Sequence, residues 1–129
     1  MNYLLDTHAL LWSVQEDDKL SKKARAVIEN KENRLYVSAI SAFEIANKFR
    51  IGKLPQYEHV VENYVQIVQK LGASDLPITA EQGHFAAKFE WHHRDPFDRI
   101  IAAQASIENM ILISCDEVFH TLPWVEVLW

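Results

Sequence analysis

The period of apolar and polar residues changes from segment to segment along the chain. Asn2-Tyr3-Leu4-Leu5 is a short apolar run of strand length. Ala9, Leu10, Leu11 and Trp12 then make a broadly apolar helix from Thr7 to about Val14. Asp17-Asp18 marks a turn, and Ser21 opens a second helix through Ala24, Val27 and Ile28. Residues 34–38 (Arg-Leu-Tyr-Val-Ser) predict a second strand. Residues 41–50 predict a helix that stops near Gly52, with Pro55 closing the loop behind it. Val60, Val61, Tyr64, Ile67, Val68 and Leu71 recur at helical spacing, which predicts one long helix over 59–71 ended by Gly72. Residues 75–78 predict a short strand, and Pro77 places it at an edge. Thr79 caps a helix carrying Ala86, Ala87 and Phe89. Residues 91–97 read as a polar loop, 98–109 as an Ile- and Ala-rich helix, 110–114 as a strong strand and 125–128 as a last strand.

Strands that alternate with helices imply a parallel sheet covered on both faces. The predicted fold is therefore α/β: a three-layer α/β/α sandwich with a central, mostly parallel sheet. The 129 residues suit one domain spanning 1–129. A hydrophobic share of 49% is enough for a real core and argues against disorder. No internal repeat, linker or low-complexity stretch divides the chain. In sheets of this kind ligands collect beyond the carboxyl ends of the strands.

Composition narrows the chemistry. Cys115 is the single cysteine, so neither an internal disulfide nor a cysteine-rich zinc site can form. That fits a reducing cytoplasm. Met1 leads straight into an apolar strand with no basic segment before it, so no signal peptide is expected. No apolar stretch approaches the roughly 18 residues a membrane span needs. The net charge of −5 argues against diffuse attraction to nucleic acid. A protein with this charge that handles RNA needs local positive charge, which a bound divalent metal would supply.

Four acids occupy the edge where ligands collect. Asp6 follows the first strand, Glu44 lies in the first turn of the helix after the second, Asp98 opens the helix before the fourth, and Asp116 follows that strand. Asp95 stands three residues before Asp98. Carboxylates gathered at one place repel unless cations neutralise them. Oxygen donors suit Mg2+ or Mn2+, which polarise phosphoryl groups and activate water for in-line attack. Each acid also has a plain structural reading. Asp6 can cap the helix from Thr7, Ser41 and Glu44 have capping-box spacing, Asp95-Pro96 resembles a helix start, and Asp116 can cap the turn at Glu117–Phe119. Four such caps on one edge by chance are much less expected than a site, and the two roles are compatible.

Four blocks of sequence resemble one family. Leu4-Leu5-Asp6-Thr7-His8-Ala9-Leu10-Leu11-Trp12, Ser38-Ala39-Ile40-Ser41-Ala42-Phe43-Glu44-Ile45-Ala46, His93-Arg94-Asp95-Pro96-Phe97-Asp98-Arg99-Ile100-Ile101-Ala102-Ala103-Gln104-Ala105, and Ser114-Cys115-Asp116 with Phe119 look like the motifs of VapC-like PIN-domain toxins, in the same order. The resemblance implies an Mg2+- or Mn2+-dependent endoribonuclease with Asp6, Glu44, Asp98 and Asp116 as its metal site and Asp95 beside it. It also implies an RNA substrate, a homodimer and a cognate antitoxin that silences the toxin. The helix with Lys48, Arg50 and Lys53, and the one after it, would build the antitoxin groove, with Phe49, Ile51 and Leu54 available to line it.

Other residues are weighed singly. His93 and Arg94 are candidates for RNA phosphates or bases, against a solvated loop. Ser114 is a candidate partner of an acid or of water in the site, against a plain strand end. His8 after Asp6 suggests a zinc hydrolase start, but Leu10 stands where a second histidine is needed. Lys48 is four residues from Glu44, the spacing of a helical ion pair. Trp91, Trp124 and Trp129 suit a core or an interface. Two competing functions are a phosphohydrolase for small phosphate esters and a binding module whose acids only cap helices. The first is disfavoured by His8, which replaces the Asp a haloacid-dehalogenase-like site needs there.

Overall fold

The structure is a computed structural model that describes residues 1–129. Five parallel strands form one sheet in the order β3-β2-β1-β4-β5: β1 (Asn2–Leu5), β2 (Arg34–Ser38), β3 (Ala73–Leu76), β4 (Ile111–Ile113) and β5 (Val127–Leu128). Seven α-helices connect them: α1 (Thr7–Gln15), α2 (Lys22–Glu29), α3 (Ala39–Arg50), α4 (Glu58–Glu62), α5 (Tyr64–Leu71), α6 (Ala80–Lys88) and α7 (Pro96–Ile107). Alternation along β1 divides the core. Tyr3 and Leu5 belong to one apolar cluster with Leu10, Val37, Ile45 and Val68. Leu4 faces the other way and joins Ile101, Ala105, Leu112 and Phe119. A sheet with a core on each face is the three-layer sandwich the pattern predicts.

The chain winds outward from β1 through β2 to β3, then returns to place β4 on the other side of β1. The connections leaving β1 and β4 therefore part at their carboxyl ends. That reversal of winding opens the crevice in which sheets of this class bind ligands. No helix is long and apolar enough to cross a membrane.

The structure shifts several predicted boundaries for local reasons. The long helix over 59–71 is two, because Asn63 (φ −125°, ψ 29°) leaves helical geometry between α4 and α5. Gly72 ends α5 at φ +85°, a backbone state that costs glycine little. The chain turns there directly into β3, so this strand runs over 73–76 and stops before Pro77. It is an edge strand, as the proline predicts. The helix after β2 starts at Ala39, with the Ser38 hydroxyl accepting from the Ile40 amide. Ser41 is inside that helix and caps nothing, and Glu44 falls in its second turn rather than its first. α7 starts at Pro96, with Asp95 accepting from the Phe97 and Asp98 amides. Thr79 and Gln82 form a reciprocal capping box on α6.

Candidate active site

Asp6 emerges from β1 at the winding reversal, and its amide donates to the Ile113 carbonyl of β4 (3.1 Å). One carboxylate oxygen accepts from the Ala9 amide (2.7 Å) and so caps α1. The other accepts from the Ser114 hydroxyl at the end of β4. The same Ser114 oxygen accepts from the Asp116 amide (3.0 Å). Ser114 is wholly buried, and its hydroxyl is engaged by two acids. It therefore orients Asp6 and the Asp116 backbone, without surface to offer a substrate. Asp116 lies exposed beyond it and accepts from the Val118 amide (3.0 Å).

Glu44 is buried on α3 beneath this pair. Thr7, the first residue of α1, donates its hydroxyl to Glu44 (2.6 Å) and contacts the Ser41 hydroxyl (3.0 Å). Lys48, one turn along α3, pairs with the other Glu44 oxygen. Thr7 and Ser41 are parts of the site that motif reading passes over. Two polar residues at positions a purely apolar helix face would fill were the available signal.

Asp98 enters from α7. Its carboxylate meets His93 Nε2 at 2.7 Å. His93, Asp95 and Asp98 each offer a ligand atom within 4.8 Å of the others. The loop that carries His93 is built by Arg99. Its guanidinium donates to the carbonyls of Ala86 (2.8 Å), Phe89, Trp91 (3.3 Å) and His93 (2.8 Å). Trp91 adds a bond from its indole nitrogen to Thr121 (2.8 Å) and packs edge-on against the His93 ring. The stretch 91–97, polar by sequence, is thus tied down at both ends. Arg94 stands beside it on a cleft that also borders Arg99.

Electrostatics joins the acids. Burial pushes the Asp6 carboxyl up to about 6, and the charges of Asp116 and Glu44 push the same way. The bonds from Ser114 and Ala9 pull against them and lose. Asp98 is also raised to about 6, mainly by burial, with Asp95 and Glu44 adding to it and His93 opposing. Glu44 acts on both, so it stands electrostatically between the Asp6–Asp116 and Asp95–Asp98 groups. Asp6 thus feels Asp116 and Glu44, and Asp98 feels Asp95 and Glu44, while ligand-atom distances group Asp95 and Asp98 with His93. Asp6, Asp95 and Asp116 also cap a helix or turn, as their structural readings expect. His8 is exposed and packs on Trp12. Leu54 packs on the core beside β1, while Ile51 is exposed.

The chain has relatives among known proteins. The PIN domain family profile matches residues 3–125. Ribonuclease VapC16 of Mycobacterium tuberculosis is 33% identical over 64 residues, which are 50% of this chain and 44% of that protein. The chain thus spans less than half the length of this curated relative in the match. DNA-bound VapBC from Salmonella typhimurium superposes with a TM-score of 0.71 at 14% identity, covering 99% of this chain and 97% of that one. VapBC2 from Rickettsia felis, bound to a DNA fragment from its promoter, gives 0.69 at 15% identity over 99% and 98%. VapC20 of Mycobacterium tuberculosis, a toxin that cleaves the sarcin-ricin loop, gives 0.67 at 14% identity over 97% and 98%. At these identities the likeness to solved structures is one of fold.

Proposed function

This chain belongs to the PIN domain family, and from that premise we propose that it is a divalent-metal-dependent endoribonuclease, the toxin of a toxin–antitoxin pair. The observation that carries the reading is geometric: buried Asp6 and Glu44 are held by the Ser114 and Thr7 hydroxyls at the ends of β1 and β4 and on α3, and Asp95 and Asp98 offer ligand atoms within 4.8 Å of each other beside His93. An oxygen-only donor set of Asp6, Glu44, Asp98 and Asp116, with Asp95 beside it, fits Mg2+ or Mn2+ in chemistry. When bound, the ion supplies a Lewis acid for the phosphoryl group and lowers the pKa of water.

The residues of the chain do the positioning. Thr7 and Ser114 lock the Glu44 and Asp6 carboxylates by hydroxyl donation, the outer support that metal ligands need. Lys48 offers a cation beside Glu44 that can meet a substrate phosphate. His93 holds Asp98, and Arg94 next to it approaches the RNA backbone. The named relative is a ribonuclease, and two of the superposing structures are toxin–antitoxin assemblies, which supports an antitoxin as partner. We place the protein in the cytoplasm as a homodimer, with residues 1–129 working as one domain.

Incubation of the purified protein with RNA tests the reading. Cleavage is expected with Mg2+ or Mn2+ and none in EDTA. Asp6→Asn should lower it by at least about 100-fold, the upper end of what losing even a ligand's supporting partner costs. Cleavage that persists undiminished in EDTA and in Asp6→Asn would refute it.

A further inference from the structure

Both oxygens of the Glu44 carboxylate are taken. Oε1 accepts from the Thr7 hydroxyl (2.6 Å), and Oε2 is covered by the Lys48 ammonium. The Glu44 side chain is 6% exposed and that of Lys48 28%. The carboxylate is therefore fixed in the fold, while the ammonium can withdraw to solvent on its flexible stem. Lys48 Nζ also stands 5.7 Å from the centroid of Phe97, one residue before Asp98 on α7. An aromatic face attracts a cation within about 6 Å. The charge of Lys48 is thus set between the helix that carries Glu44 and the helix that carries Asp98.

On an exposed face, a lysine four residues after a glutamate is an ordinary helical pair of little worth. Burial changes its meaning. A buried carboxylate without a partner is an uncompensated charge, so Glu44 needs a cation whether or not a metal is bound. The Glu44 charge also bears on Asp6 and Asp98, so whatever neutralises it eases the other acids. Thr7 holds Oε1 with a neutral hydroxyl, itself in contact with the Ser41 hydroxyl (3.0 Å). Oε2 is the oxygen left for an ion, and it is the one Lys48 covers. We propose that Lys48 is an internal stand-in for the divalent ion: it neutralises Glu44 in the unloaded protein and releases Oε2 when the ion binds. This rests on the reading of Asp6, Glu44, Asp98 and Asp116 as a metal site and adds the regulation of that site. The exchange keeps Glu44 compensated before loading. It also lowers the affinity for the ion by the cost of parting Lys48 from Glu44, so it sets the concentration of free Mg2+ or Mn2+ at which the site fills.

Titration calorimetry of the full chain with Mn2+ tests the exchange. Lys48→Met keeps the stem and removes the charge. It should bind Mn2+ roughly 5–150-fold more tightly than the parent, the usual size of a coupling between two ligands of one protein. In EDTA it should melt at a lower temperature, because Glu44 loses its partner. In a Glu44→Gln background the same change should give no gain, because no carboxylate is left for Lys48 to release. Equal or weaker Mn2+ binding by Lys48→Met overturns the proposal. So does a gain that survives in the Glu44→Gln background, which is general repulsion between charges. A second measurement serves if Lys48→Met does not fold. Dimethylation of the lysines with isotopically labelled methyl groups keeps their charge, and the Lys48 signal is identified by its absence in Lys48→Arg. Diamagnetic Mg2+ should move that signal toward those of the solvent-exposed lysines, and an unmoved signal overturns the proposal. Where the parent binds Mn2+ and the Lys48 results fail, the metal site stands without the exchange. Where the parent binds no divalent ion, the reading of the site falls and the exchange with it.

Discussion

Asp6 is held between opposing demands. Two hydrogen bonds favour its charged form, while burial and two neighbouring acids favour the neutral one, and burial wins. A carboxyl raised from 3.8 to about 6 costs on the order of 3 kcal/mol to ionise inside the fold. Asp6→Asn removes that cost and keeps an oxygen for the Ala9 amide. In EDTA at neutral pH the variant should melt higher than the parent, by roughly 9–15 °C, while losing cleavage. A thermal scan beside an RNA assay checks this, and a lower melting temperature would count against an unneutralised charge at Asp6. Ser114 makes a second case. Ser114→Ala leaves the buried Asp6 oxygen without its donor, which should cost about 1–3 kcal/mol by urea unfolding. The same change should weaken Mn2+ binding by about 10–100-fold in calorimetry. A stability loss without any change in metal affinity would make Ser114 merely structural.

At the scale of elements, the segment between α6 and α7 depends on one side chain. Arg99 gathers carbonyls from Ala86, Phe89, Trp91 and His93, and it also lies 4.4 Å from the Phe89 ring centroid. Arg99→Met would leave those carbonyls unmatched and free the loop that brings His93 to Asp98. Amide exchange should quicken across residues 89–95 while β1 stays protected. Thr79→Ala is the contrasting change. It removes the α6 capping box, whose bonds run only between Thr79 and Gln82 and reach none of the acids, so about 1 kcal/mol of stability should go with cleavage unaltered. Comparable activity loss in both variants would mean that global destabilisation, and not the loop, explains the Arg99 result.

For the whole molecule the sheet order brings acids from distant parts of the chain together, and pH should expose the consequence. Asp6 and Asp98 bind protons more tightly folded than unfolded. Between pH 4 and 6 the unfolded chain gives up those protons first, so stability from these groups is present below about pH 4 and lost as pH rises through about 6. The parent should therefore lose stability relative to Asp6→Asn across that window when metal is absent. Saturating Mg2+ or Mn2+ should return it at neutral pH, because a ligand bound only by the folded state stabilises it. Denaturant titrations at several pH values, with and without metal, measure both effects. A gap between parent and variant that stays constant from pH 4 to 7 would be the contrary result.

Local pattern by itself determined the strands, most helices, the edge position of β3 and the placement of Asp6 and Asp116 just after β1 and β4. Those features rest on periodicity, caps, glycine and proline, which act over a few residues and are visible in the order of side chains. The break at Asn63 escaped it, because the apolar spacing runs on unbroken across that residue. Tertiary structure alone decided that Thr7 holds Glu44, that Ser114 holds Asp6, and that Arg99 builds the loop that brings His93 to Asp98. Those facts depend on contacts between residues 34 to 108 positions apart, or on which carbonyls a loop turns inward. The pKa of a carboxyl follows burial and neighbours in space, so the energetic character of the site arises only when the sheet closes around it.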